Sequence, residues 1–219
     1  MCVWPGCSLA GAVVQMKNPA TAESRRLLGL LEEALVRERR LWKVPVFKSG
    51  HIQGTDISSS QHREIILWLL DMNRMFQFCP ETFALGVCVL NRLLSTVKAQ
   101  PKYLKCIAFT SLVLAAKINE EDEVIGSVGE LVAQSGCNFS TAEILRMERI
   151  ILDKLQWDLY TSTPVDFVHI VSWTEQPRGA SKHSGTTARD KPSCSLHTWS
   201  TERVCVQLWS GLVWLPCLT

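Results

Sequence analysis

Catalytic machinery is what this chain most plainly lacks. It has no glycine-rich phosphate loop, no nucleophile motif and no pair of carboxylates spaced for acid–base work, and its five histidines are scattered with no HExxH-type pair. Asp56, Asp71, Asp122 and Asp153 are isolated and fit helix ends and solvated faces better than catalysis. The expectation is that the protein is not an enzyme. No run reaches the ~20 apolar residues that a membrane span needs. The mildly apolar CSLAGAVVQM stretch has no charged residue ahead of it, which argues against a secretory signal. Nine cysteines are an odd number, and they form neither a CxxC pair nor a His-containing cluster at ligand spacing. Cys88 and Cys106 fall inside apolar helical patterns, where a free thiol behaves as a small hydrophobe. The reading is a soluble intracellular protein with reduced thiols, no metal and no cofactor. A net charge of +2, with no strongly basic or acidic region, argues against nucleic acid as the main partner, and with no spanning run no membrane partner is expected.

What is present is helix. At 219 residues and 47% hydrophobic content the chain suffices for one domain of ~100 to 150 residues plus extensions. From about Ala22 to Trp42, Leu27, Leu28, Leu31, Ala34, Leu35 and Leu41 make an apolar stripe against arginines and glutamates, which predicts an amphipathic helix. Its Arg37 to Arg40 run reads as a solvated face. A loop carrying Pro45, Gly50 and Gly54 leads to Ser58 and Gln61, spaced as a capping box, and a helix to about Phe78. Pro80 and Pro101 each suit the first turn of a further helix, where a missing N–H costs nothing. The helix after Pro101 is apolar on every side, and one too short to span a membrane belongs in the middle of a bundle. A weaker segment, Val124 to Gln134, is interrupted by Gly126 and Gly129, and Ser140 with Glu143 starts a last helix running to about Trp157. The fold expected is all-α: five helices packed around a central one, preceded by the amphipathic helix.

Two charged residues break the apolar patterns of FTSLVLAAKINEEDE (Phe109 to Glu123) and ILRMERIILDKLQWDL (Ile144 to Leu159). On a helix the surface neighbours of Glu148 lie three and four residues away, and here they are Ile144, Leu145, Ile151 and Leu152. A carboxylate held among aliphatics needs a partner from another helix or another protein. Lys117 is the intramolecular candidate. Its other reading is a cation at a helix C-terminus, favoured by the macrodipole and paired with Glu120 or Glu121.

The helix order, the runs PETFALGVCVLNRLL, LVLAAKINEEDE and STAEILRMERIILDKL, and the tryptophan in REIILWLL together resemble the cyclin box, most of all that of cyclin I and its close relatives. The likeness covers about Leu27 to Ile170. It implies a regulatory subunit that binds a cyclin-dependent serine/threonine kinase, acting in nucleus and cytoplasm. In cyclins that activate kinases, a lysine ending the third box helix and a glutamate in the fifth help grip the kinase's αC helix and activation segment; the matching residues are Lys117 and Glu148. Cys106 stands where the family usually has a leucine on the central helix, a substitution that bears on kinase affinity. Trp68 matches a tryptophan that in some cyclins floors a substrate-docking groove. His62 and Asn91 stand where cyclins place an arginine and an aspartate that brace the box; replacing both charges together can be nearly neutral, and a hydrogen bond between the two would serve instead.

The resemblance divides the chain into an extension (1–21), the box with its N-terminal helix (22–160), the start of a truncated second cyclin fold (161–171), capped by Thr163 and Pro164, and a divergent tail (172–219) expected to be disordered. Two other classes stay open at this point. One is a non-activating competitor for the kinase; the other is a nucleic-acid-binding module of the kind found in general transcription factors, which usually carry basic surfaces and two repeats.

Overall fold

The computed structural model describes residues 22–172. The expected extension, 1–21, and the expected tail, 172–219, apart from Ser172, lie outside the described residues. The elements are α1 (Ala22–Leu41), β1 (Phe47–Lys48), β2 (His51–Ile52), α2 (Ser59–Met75), α3 (Pro80–Thr96), a 3-10 turn (Pro101–Tyr103), α4 (Leu104–Asn119), α5 (Asp122–Ile125), α6 (Val128–Ser135), α7 (Thr141–Lys154) and α8 (Pro164–Ser172). The all-helical expectation holds apart from the short hairpin, in which Phe47 pairs with Ile52.

Local chemistry sets where helices begin. Ser58 accepts the Gln61 N–H at 3.2 Å while Gln61 Oε1 accepts the Ser58 N–H at 2.9 Å, a reciprocal box that opens α2. Ser140 and Glu143 open α7 in the same way, and so do Ser127 and Glu130 for α6. Pro80 occupies the first turn of α3 as expected.

Helix ends differ more from expectation. α2 stops at Met75 instead of near Phe78, because Gln77 takes a left-handed φ of +58° and the Phe78 N–H bonds back to the Asn73 carbonyl at 3.0 Å. α7 stops at Lys154 instead of near Trp157: Gln156 and Trp157 take φ of +55° and +61°, and the Trp157 N–H returns to the Leu152 carbonyl at 2.9 Å. The single weak helix expected over Val124 to Gln134 is two, α5 and α6, divided at Gly126, whose φ of +60° few side chains adopt.

α4 is the centre of the bundle, with Leu104 and every residue from Cys106 to Ala116 buried. α2, α3 and α7 pack on it. α3 comes closest: a Cβ on Gly86 would sit 3.2 Å from the Leu112 Cα, and Ala84, Ala108, Ala115 and Ala116 around this crossing are fully buried. Hydroxyls inside α4 are satisfied by its own carbonyls, Thr110 on Cys106 at 2.7 Å and Ser111 on Ile107 at 2.8 Å. Phe109 stacks its ring edge against Phe76 and lies beside Phe139. Each such Leu or Phe, fully buried, contributes about 1.5–3 kcal/mol.

α1 and α8 pack against each other, and α8 also contacts α3. Thr163 and Asp166 close a capping bond at the start of α8, with the Thr163 N–H on Asp166 Oδ2 at 2.7 Å. The arginine run of α1 is a solvated face that also reaches the chain leading to α8: Arg40 pairs with Asp158 at 3.0 Å, and the Arg37 guanidinium lies 5.4 Å over the Tyr160 ring.

Candidate functional site

α7 turns a stripe of Ile144, Ile151 and Leu155 into the core, and Glu148 occupies the same face one turn after Ile144. Its side chain is only 14% exposed, so the carboxylate needs a cation that its own helix does not place there. Lys117, in the last turn of α4, supplies one: Nζ lies 2.6 Å from Glu148 Oε1. The lysine is 39% exposed, and the negative end of the α4 dipole favours its charge. Ile118 and Leu145, the apolar neighbours of the two charges in sequence and helical spacing, are exposed. The result is a pre-formed, half-wet ion pair set beside apolar side chains that face solvent.

Lys117 pairs with Glu148, and with neither Glu120 nor Glu121. Glu120 instead accepts the Cys79 N–H at 2.7 Å and the Thr82 hydroxyl at 2.5 Å, both at the start of α3.

His62 and Asn91 meet across α2 and α3, with His62 Nε2 2.8 Å from Asn91 Oδ1. Both are buried. Burial pushes the imidazole below its ordinary pKa, and the hydrogen bond to Asn91 offsets only part of that. The ring is therefore neutral, with Nε2–H donating to the amide oxygen. The Phe47 ring packs edge-on against it at 5.5 Å, so the hairpin lies over this contact.

Cys106 is buried in the first turns of α4, and burial pushes its thiol up. It sits three turns before Lys117, about 16 Å along the helix, so the two lie toward opposite ends of α4. Trp68 is half-buried against the core, and the Lys105 ammonium lies 5.9 Å from its ring centre. The structure thus joins Lys117 to Glu148 and His62 to Asn91, and sets Cys106 about three turns along α4 from Lys117.

Two residues with structural reach escaped the sequence reading. Glu120 is one, inside an acidic run whose members look alike in sequence. Arg92 is the other: nearly buried, it donates from Nη1 to the Leu159 carbonyl at 3.3 Å, tying α3 to the chain between α7 and α8. Its place directly after Asn91 in an apolar helix was the available signal. Among the described residues no group of side chains is placed to hold a metal, and no helix is long and apolar enough to cross a membrane.

Residues 35–160 match the family described as "Cyclin, N-terminal domain". Human Cyclin-I2 is 40% identical over 195 residues, which cover 82% of this chain and 51% of that protein. Human Cyclin-G2 is 40% identical over 152 residues, 68% of this chain and 44% of that one. Cyclin-G1 of Sus scrofa is 31% identical over 156 residues, 69% of this chain and 53% of that one. The chain spans about half the length of the curated relatives it matches. Among solved structures, the viral cyclin from herpesvirus saimiri shares the fold with a TM-score of 0.57 at 20% identity, over 69% of this chain and 63% of that one.

Proposed function

The chain belongs to the cyclin family, and from that premise we propose that it is a regulatory subunit that binds a cyclin-dependent serine/threonine kinase through the surface around Lys117 and Glu148. The observation that carries this is the 2.6 Å pair with Ile118 and Leu145 exposed beside it. A lysine ammonium has three donors, and Glu148 uses one. The others remain for carbonyl or carboxylate groups of a partner helix, while the apolar neighbours supply contact area. Seated on the kinase αC helix and activation segment, such a surface holds αC inward, lets the kinase close its own Lys–Glu pair and orders its activation loop. The subunit itself supplies position and no chemistry. Its place of action is nucleus and cytoplasm, and Trp68 offers a second contact for the kinase's substrate.

The test is retention by a panel of cyclin-dependent kinases, with phosphorylation of a generic substrate measured on each complex. Retention with raised activity supports the proposal. Retention without activity supports the competitor reading, which the smaller side chain of Cys106 and the uncharged His62–Asn91 contact favour. Failure to retain any kinase, together with salt-dependent binding to duplex DNA, would overturn both in favour of a nucleic-acid module.

A further inference from the structure

We propose that Glu120 is the positioning residue of the docking pair: by capping α3 from the end of α4 it holds the turn that aims Lys117 at Glu148. The inference rests on the docking reading above.

α3 begins with a deficit. Its N-cap is Cys79, which provides no side-chain cap, and Pro80 follows. In a local capping box the residue at the third helical position would be a Glu or Gln reaching back to the N-cap N–H. Here that position is Thr82, too short to accept from it. The carboxylate arrives instead from Glu120, whose Oε1 accepts the Cys79 N–H at 2.7 Å and the Thr82 hydroxyl at 2.5 Å, 41 and 38 residues away in sequence. Negative charge at a helix N-terminus is favoured by the dipole, and Thr82 is fully buried, so its hydroxyl has lost water and depends on this acceptor.

Glu120 is also the last residue of α4 in hydrogen-bonding terms, its own N–H bonding to the Ala116 carbonyl at 2.8 Å. One residue therefore ties the end of α4 to the start of α3. The turn between carries Lys117, Ile118 and Asn119, none of them buried. Core packing that holds α4 through Ala116 stops there. What keeps this turn wound, and so fixes the direction in which Lys117 leaves the helix, is the anchor at Glu120.

A cap that mattered only for stability would lower the unfolding midpoint and leave the Lys117–Glu148 contact intact. Positioning makes a different demand: the contact must weaken in the folded protein when Glu120 is lost. In the free full chain, the readout is the change in the Glu148 carboxyl carbon shift produced by Lys117→Met, followed by NMR in wild-type, Glu120→Ala and Glu120→Gln backgrounds. The expected result is a clear change in wild type, at most half of it in Glu120→Ala, and most of it retained in Glu120→Gln, whose amide oxygen still accepts. Thr82→Val, which removes one donor and keeps the shape, should fall between and serves if Glu120→Ala does not fold. An equal Lys117→Met effect in all backgrounds overturns the proposal. With the kinase retained by the panel, Glu120→Ala should weaken binding roughly fivefold, and Lys117→Met should add little on top of it. Full additivity of the two losses also overturns it. If no kinase is retained, the docking reading fails, and the NMR coupling alone decides what Glu120 does.

Discussion

Two cross-helix polar contacts of nearly equal length stand in opposite surroundings. His62 meets Asn91 at 2.8 Å with both side chains buried, and Lys117 meets Glu148 at 2.6 Å at the surface. The buried contact is neutral, since an ion pair taken out of water recovers its desolvation only with excellent geometry and further hydrogen bonds. The surface contact is charged, since solvent still reaches both groups and screens what they exchange. The first fixes how α2 meets α3 away from solvent, and leaves His62 Nδ1 and Asn91 Nδ2 buried without a partner. The second contributes little to the fold and keeps donors for something else. Length alone would have ranked them alike; burial separates a brace from the proposed handle.

The largest effect expected from breaking this comparison comes from charging the brace. His62→Arg alone places a guanidinium opposite an amide in a fully buried site and should destabilise by ~3 to 5 kcal/mol in chemical denaturation. Asn91→Asp alone should cost less, because the imidazole facing it can take up a proton and pair. The double substitution supplies both charges at once and should recover part of the loss, with a coupling of order 1 kcal/mol or more in the cycle. Strict additivity would mean that the 2.8 Å contact is not energetically linked.

A smaller effect sharpens the same contrast through pH. Burial depresses the His62 pKa in the folded chain, so the unfolded chain takes up the proton first as pH falls. Stability from this site is fully present above about pH 6.5 and declines below it, by at most about 1.4 kcal/mol per pH unit, until the depressed folded value is reached. His51 and His169, the other described histidines, are exposed, and His169 lies 3.5 Å from Glu81. Urea midpoints from pH 7 down to about 5 should therefore fall in the wild type and flatten in His62→Gln, which keeps a donor without a titrating ring. An unchanged slope in that variant would place the acid sensitivity elsewhere.

How much of this was legible in sequence depends on how local the cause is. Ser58 with Gln61, Ser140 with Glu143, and Pro80 announce helix starts within four residues, and the structure puts helices there. The all-apolar run after Pro101 marked the central helix, and Glu148 among aliphatics demanded a cation from outside its own helix. Helix ends were harder. Gln77 and Trp157 take left-handed backbone that glycine or asparagine would advertise and these residues do not. The strands over Phe47–Lys48 and His51–Ile52 are too short to show a period. Glu120 was hidden most completely: its bonds span 38 and 41 residues, and nothing in the run Glu120 to Glu123 distinguishes the member that caps α3.

The smallest expected change in stability belongs to the handle, and it separates the two contacts most directly. Lys117→Ala and Glu148→Ala should each leave helical content unchanged by circular dichroism and shift unfolding by no more than ~1 kcal/mol, the range of exposed pairs. The two should not be equal. Removing the lysine strands the carboxylate of a side chain that is 14% exposed, whereas removing the glutamate frees the ammonium of one that is 39% exposed and returns to water. Lys117→Ala should therefore be the more destabilising of the two, by a few tenths of a kcal/mol. Binding should respond on another scale: titration of a retained kinase with either folded variant should show a loss of roughly tenfold, because the charge removed faces a partner in a site that docking would dry. Unchanged affinity in both variants would remove the interface around Lys117 and Glu148, and leave the pair as one more surface ion pair holding α4 beside α7.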